Sequence, residues 1–419
     1  MMLEGKLGDT PYVEKPNLLP FNSDLQDLVQ VLASKGCGVW IVGGAVRDAL
    51  LGIIPHEYDI ASDATPDQIE SFFAGKTIPT GKQFGTITVR SGDSQFEVTT
   101  LRTEGGYGDG RRPDEVVWGT SLAIDLSRRD FTINAMAYDL ARGFLHDPSH
   151  GEDDLKSSTL RAVGNANKRL SEDGLRIMRA YRFMDRGKAG VWMPNGELNN
   201  ALFDCRSMLY KVSVERIWEE LKRIITGNNA DIVLAKMAND GVLNSIFQTT
   251  IPLESIENIA SNTLDLEPRL AILLKDETTM SVKSILGRLR ASSAQIKRTR
   301  HLHFLLGKAP TKLDARLYRV VIGDEVPTHI ELAKVLSLDF NYQSYALQFP
   351  TEVNCIIDGI WLMERTKLAP GIKLGRLKQW IHRIQIERNL TTVEDVETVL
   401  CTIPWQNGEP DDWPKVEWP

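Results

Sequence analysis

Residues 39–62 read VWIVGGAVRDALLGIIPHEYDIAS, and the way this stretch divides decides the fold around it. Val39 to Val42 is a short apolar run of strand type that ends at Gly43-Gly44. Ala45 to Leu51 then reads as a helix closed by Gly52. A strand, two glycines and a helix N-terminus form an anion site, because backbone N–H groups point outward and no Cβ blocks a phosphate. Arg47 falls in the first turn of that helix, where its guanidinium can fork onto phosphate or a ribose oxygen. A second apolar strand, Tyr58 to Ala61, begins just after Glu57 and carries Asp59. Glu57 and Asp59 are two apart, so on a strand they project to the same side. Such a pair beside a phosphate-binding turn can hold Mg²⁺ between protein and triphosphate. A Gly-Gly turn alone, or Glu-x-Asp alone, describes any α/β unit with two solvated acids. Both together, sixteen positions apart from Gly43 to Asp59, point to nucleotidyl transfer.

The bulk properties set limits on this reading. A chain of 419 residues is too long for one core and implies two to four domains. With 42% hydrophobic and 25% charged residues the composition is that of an ordinary globular protein. Cys37, Cys205, Cys355 and Cys401 lie far apart with no metal-binding spacing, and are expected to be reduced and buried in a cytoplasmic protein. No apolar run reaches membrane-spanning length, MMLEGKLGDT is not a signal peptide, and no obligate protein partner is evident. A net charge of −7 argues against indiscriminate coating of nucleic acid, so an RNA substrate requires local basic surfaces.

Further along the chain, Ser23 to Ser34 has helical periodicity, and Thr65-Pro66-Asp67-Gln68 opens a helix with a capping box. Gly85 to Ser91 and Gln95 to Leu101 alternate with period two about a Ser91-Gly92-Asp93 turn. Glu97 sits within the second of these strands, either as a third carboxylate at the site or as a structural acid paired with an arginine. RTEGGYGDGRRPD, residues 102 to 114, has the composition of a mobile surface loop. Arg128-Arg129-Asp130 precede an apolar-periodic run that reads as a helix, which places them at its N-terminal end. Beyond Leu155 the chain turns helical. Ser281 to Leu306, with Lys283, Arg288, Arg290, Lys297, Arg298 and Arg300, is basic and could face RNA or simply be solvated. Lys373, Arg376, Lys378 and Arg383 follow the Pro370-Gly371 break. Residues 404 to 419, with three tryptophans and four prolines, read as a docking or disordered tail.

Several of these stretches resemble the class II tRNA nucleotidyltransferases, the CCA-adding enzymes of the DNA polymerase beta superfamily. They are VGGAVRDALLG with EYDIASDATP, SRRDFTINAMAYD (127–139), LSEDGLRIMRAYRFMDR (170–186) and SVERIWEELKRII (213–225). The family's usual acid pair is Asp-x-Asp, and here it is Glu57-Tyr58-Asp59, in which glutamate remains a competent Mg²⁺ ligand reaching one methylene further. The resemblance implies an α/β catalytic head like that of DNA polymerase beta, followed by an all-α neck, body and tail. It places their boundaries at 1–154, 155–230, 231–330 and 331–419. It further implies template-independent addition of CCA to tRNA from CTP and ATP, with Mg²⁺ held by Glu57 and Asp59. Gly43, Gly44, Arg47, Arg129 and Asp130 would hold or position the nucleotide. Asp173 and Arg176, three apart on one helix, would read the base, with Arg179 and Arg182 on phosphate or sugar. The Glu-Arg-x-x-x-Glu element at 215–220 would buttress that helix, the loop at 102–114 would go with addition of A, and the tail would grip the tRNA elbow. Two other readings stay open: an A-adding enzyme or poly(A) polymerase of the same family, and an RNA-binding module whose chemistry has decayed.

Overall fold

The computed structural model describes residues 2–104, 116–257, 259–260 and 264–419, so most of the glycine-rich loop at 102–114 lies outside the described residues. The chain forms two compact units, Met1–Thr250 and Ile251–Pro419. In the first unit, in chain order, run β1 (Tyr12–Glu14), α1 (Ser23–Ser34), β2 (Val39–Val42), α2 (Gly44–Leu50), β3 (Asp59–Ser62) and α3 (Pro66–Phe72). These are followed by β4 (Thr77–Gly81), β5 (Thr86–Ser91), β6 (Ser94–Thr100), the hairpin β7 (Arg102–Glu104) and β8 (Val116–Trp118), and α4 (Leu122–Ser127). Then come β9 (Ala137–Asp139), β10 (Phe144–His146), α5 (Gly151–Lys156), α6 (Ala166–Glu172), α7 (Leu175–Met184), α8 (Gly196–Asp204) and α9 (Val214–Ile225). Eight of the strands make one mixed sheet in the order β1-β10-β9-β2-β3-β6-β5-β4.

The register of that sheet positions the site. β3 runs antiparallel to β2, with Asp59 opposite Val42, the last strand residue before the Gly43 turn. On its other edge β3 runs parallel to β6, with Asp59 beside Glu97. Neighbouring residues in register project to the same face, so the acid, the glycine turn and Glu97 are set close together by backbone pairing alone. Glu57 lies just before β3, outside the strand proper. Trp40, Val42, Ala61, Leu101, Leu122, Leu126 and Ala137 form one buried cluster that fixes α4 against the sheet. Thr65 and Gln68 form the expected capping box at the start of α3.

The structure departs from the sequence reading in several places. No helix follows Arg128-Arg129-Asp130: Arg128 closes α4, Phe131 bridges to Ala162, and a single 3₁₀ turn, Thr132–Asn134, leads into β9. Phe131, Ile133, Ala135, Met136, Ala137 and Tyr138 are all at most 1% exposed, and a run buried on every side has no periodicity to tell strand from helix. The helix expected over Leu170–Arg186 is two helices broken at Asp173-Gly174. Asp173 is extended, and its Oδ1 accepts from Leu175 N at 2.9 Å. A Cβ at Gly174 would lie 2.5 Å from the Met208 carbonyl oxygen, so only glycine fits where segment 206–211 crosses the break. The Asp-Gly pair was the available signal.

The second unit is helical among its described residues. Its 293–305 helix is less basic than its composition suggests, because Arg298 bonds to Glu325, Asp265 and Glu267 at 2.7 to 3.0 Å. Cys37 and Cys205 are buried as expected, but Cys401 is exposed. No helix among the described residues is long and apolar enough to cross a membrane. Residues 404–419 are neither free nor disordered. Trp413 packs against the helices of 359–402, while Trp418 enters a second core with Leu305, Tyr318 and Ile330. The Trp418 indole donates to Asp314 Oδ2 at 3.1 Å and meets the Tyr318 ring edge-on, with centroids 4.6 Å apart. The segment also takes up tail cations: Arg376 pairs with Asp411, and Arg383 donates to the Lys415 and Glu417 carbonyls. Burial of the Trp413 and Trp418 rings, with Trp405 partly buried against the Trp413 cluster, offsets the cost of ordering a short proline-rich strap. Trp418→Ala is expected to destabilise this unit by about 3 kcal/mol, read from its denaturation midpoint, whereas a free tail would give no change.

Candidate active site

A cleft of about 700 Å³ opens at the end of β2 and the start of β3, and its lining includes all eleven of Gly43, Gly44, Arg47, Glu57, Asp59, Arg129, Asp130, Asp173, Arg176, Arg179 and Arg182. Arg102, Arg128, Asn134, Leu175, Phe183 and Arg216 complete it. Gly43 sits at φ +69, and a Cβ there would meet Arg129 Nη1 at 3.2 Å and Asp59 Oδ2 at 4.0 Å. Both the backbone conformation and the space therefore demand glycine.

The arginines are placed by acids from different segments. On α4, Asp125 is 2% exposed; it accepts from Arg128 at 2.6 Å and Arg129 at 3.2 Å, and so aims both across the cleft floor. Burial alone would raise the Asp125 carboxyl, but the two guanidiniums bring it below the ordinary range. Asp130 behaves the same way: burial opposes ionisation, and Arg179 together with the Phe131 N–H overcomes it. Arg179 from α7 donates to Asp130 Oδ2 at 2.7 Å and 2.6 Å, which ties the helical part of the unit to the sheet. Asn134 links Asp130 to Arg47, bonding to Asp130 Oδ1 at 3.4 Å and accepting from Arg47 at 2.8 Å. On α9, Arg216 bonds to Asp173 Oδ2 at 3.0 Å and Glu220 pairs with Arg182, so this element supports α7 along its length.

Glu57 and Asp59 differ from the other acids of the cleft. Neither side-chain carboxylate accepts a hydrogen bond or forms an ion pair among the described residues, whereas Asp130 and Asp173 are both matched. The walls of the cleft raise the Asp59 carboxyl above its usual value, with the Arg129 charge opposing and the Glu57 charge adding to the rise. Two unmatched carboxylates facing an arginine-rich cleft are a donor set for a hard divalent cation, and the residues present fit that group. Glu97, beside Asp59 in the sheet, is exposed and likewise has no ion pair among the described residues.

Asp173 and Arg176 both reach the cleft, but not as neighbours on one helical face. Asp173 precedes α7, and Arg176 lies in its first turn. Arg176 is 9% exposed and spends three N–H groups on Glu172 (2.6 Å), the Arg169 carbonyl (2.8 Å) and the Arg128 carbonyl (3.2 Å). A guanidinium has five N–H donors, so two are left for a ligand. The sequence reading passed over Phe183 and Arg216, although Arg216 lies in the Glu-Arg-x-x-x-Glu element that marked α9.

A mixed sheet with a Gly-Gly turn, an unmatched acid pair and an arginine-lined cleft defines a nucleotidyltransferase head, and the comparisons with known proteins agree. The family model described as "Poly A polymerase head domain" matches residues 39–161, and that described as "Probable RNA and SrmB- binding site of polymerase A" matches 196–252. The CCA-adding enzyme of Lactobacillus helveticus is 33% identical over 383 residues, covering 88% of this chain and 94% of that protein. That of Streptococcus uberis is 30% identical over 409 residues, covering 91% and 98%. The match to the CCA-adding enzyme of Oceanobacillus iheyensis is 45% identical but spans about half of each protein, 48% of this chain and 49% of that one. The chain belongs to the CCA-adding enzyme family. The fold is also that of the Bacillus stearothermophilus CCA-adding enzyme solved in complex with CTP, with a TM-score of 0.74, 23% identity, and coverage of 91% of this chain and 99% of that one.

Because Arg176 joins Glu172 to the carbonyls of two other segments, Arg176→Ala should lower unfolding stability by about 3 kcal/mol in a chemical denaturation experiment.

Proposed function

We propose that this protein adds C, C and A to the 3′ ends of tRNA from CTP and ATP without a nucleic-acid template. The observation that carries the reading is the charge pattern of the cleft. Arginines there are neutralised in part by buried acids, while Glu57 and Asp59 stay unmatched beside the glycine turn. An excess of fixed cations suits a triphosphate, and a free carboxylate pair suits its metal. The family is one of nucleotidyltransferases, which generally depend on metal. Glu57 and Asp59 would hold Mg²⁺, which when bound favours deprotonation of the RNA 3′-OH and neutralises charge on the departing pyrophosphate.

The chain's own residues do the rest. Gly43 and Gly44 let phosphate oxygens approach the backbone. Arg47 and Arg129 bind phosphate or ribose from either side, with Asp130 fixing Arg179 beside them. Asp173, held by Arg216 and the Leu175 N–H, keeps lone pairs to accept from an exocyclic amino group. Arg176 keeps N–H donors for a ring nitrogen. Cytosine and adenine share that amino-plus-acceptor pattern, whereas uracil and guanine present a carbonyl beside an N–H. This pair therefore admits C and A. The wrong bases leave buried polar groups unpaired, at roughly 1–3 kcal/mol per group. The division into head, neck, body and tail at 154, 230 and 330 belongs to the same proposal, as does work in the cytoplasm, where tRNA lacking its 3′ end would be met.

Asp59→Ala should abolish nucleotide incorporation while leaving tRNA binding nearly intact, measured by primer extension and by filter binding. Incorporation at the wild-type rate would overturn the two-carboxylate mechanism. Asp173→Ala should relax base choice more than it slows turnover, by about ten- to a hundredfold in relative kcat/KM across the four nucleotides. Sequencing tRNA ends made with CTP and ATP, separately and together, distinguishes CCA addition from A-only or poly(A) synthesis.

A further inference from the structure

The side wall of the cleft carries one ring that is shared by three cations. Phe183, on α7, has the Arg182 guanidinium carbon 4.0 Å from its ring centroid, that of Arg179 at 5.3 Å and that of Arg47 at 5.6 Å. The ring is itself held by Phe131, fully buried at the head of the bridge to Ala162, which meets it edge-on with centroids 5.7 Å apart and planes at 73°. Each arginine is also drawn toward a different acid on a different segment: Arg182 to Glu220 on α9, Arg179 to Asp130 after α4, and Arg47 to Asp48 on α2. Those acids pair with the guanidiniums one by one and do not account for the convergence of the three. Like charges gathered this closely repel, and burial together with Arg179 and Arg223 lowers the basicity of Arg182 against the pull of Glu220. The negative face of an aromatic ring is the group that attracts several cations without neutralising them. A carboxylate in its place would cancel the charge that the triphosphate needs.

We infer that Phe183 is a positioning residue for the nucleotide site, its ring holding Arg47, Arg179 and Arg182 converged on the triphosphate while leaving their charge available. Without the ring each guanidinium would settle against its own acid, and the cleft would keep its charge but lose its geometry. The effect belongs to nucleotide binding, not to the chemical step, because the three arginines around Phe183 pair with Glu220, Asp130 and Asp48 and not with Glu57 or Asp59. The inference rests on the nucleotidyl-transfer reading above.

The test uses the full chain with tRNA lacking its CCA end. Phe183→Leu should raise KM for both CTP and ATP about tenfold, with kcat changed by less than about threefold and tRNA affinity unaltered. Phe183→Tyr, which keeps the ring, should restore KM to within about threefold. Replacement of Phe183 by pentafluorophenylalanine keeps the size and reverses the ring's quadrupole, so it should behave as Phe183→Leu does; it carries the test if the leucine variant does not fold. Wild-type KM in the leucine or the fluorinated variant would overturn the inference, and so would a tyrosine variant as impaired as leucine, since shape alone would then explain the position. Titration of CTP and ATP into the unaltered protein separates the two claims. If the wild type binds neither nucleotide, the functional reading fails and takes this inference with it. Tight binding by the wild type and by all variants alike removes only the role of Phe183.

Discussion

Asp130 is the group on which the rest of the cleft depends. Its carboxylate is buried and accepts from Arg179 on a helix, from the Phe131 N–H, and from Asn134, which in turn accepts from Arg47 beside the glycine turn. One carboxylate thus joins the sheet, the turn and α7 through charged or backbone donors. A buried ion pair of this kind adds little net stability, because desolvation offsets much of the attraction, yet removing one partner leaves a buried charge unmatched. The arrangement favours a unique geometry over a deeper energy minimum.

The same logic extends around the cleft. Asp125 sets Arg128 and Arg129, Glu172 and two carbonyls set Arg176, Arg216 sets Asp173, and Glu220 sets Arg182. Nearly every charged side chain is thereby fixed before a ligand arrives, so less ordering is required when the nucleotide binds. Against this background the freedom of Glu57 and Asp59 is informative. In a cleft where Asp130 and Asp173 are matched, the two acids without a partner among the described residues are the two proposed to hold a metal.

A glutamate in the first position of the acid pair is compatible with that arrangement. Glu57 lies just before β3 and is exposed, so its longer side chain is not confined by strand pairing. Asp59 is the fixed member of the pair, its place set by register with Val42 on one side and Glu97 on the other. Geometry at the site is thus anchored on the aspartate, and the longer side chain adapts to it.

Much of this protein was legible in the order of its residues. The Val39–Val42 strand, the Gly43-Gly44 turn, the α2 helix, the capping box at Thr65 and the β5–β6 hairpin are local features, written in short-range periodicity and turn chemistry. The eleven site residues were recognisable because they stand in motif-length stretches, and the structure gathers all eleven into one cleft. The tertiary structure alone decided which arginine answers which acid, since the partners in Arg179–Asp130 and Arg216–Asp173 lie tens of residues apart and no local pattern links them. It also decided that Phe131 to Tyr138 is a buried crossing and not a helix, because complete burial erases periodicity. The break at Asp173-Gly174 arises because the Met208 carbonyl passes too close for any Cβ. Trp413 and Trp418, which in sequence look like a loose tail, find two waiting cores, and burial of their rings is a property of the fold around them, not of their neighbours in the chain.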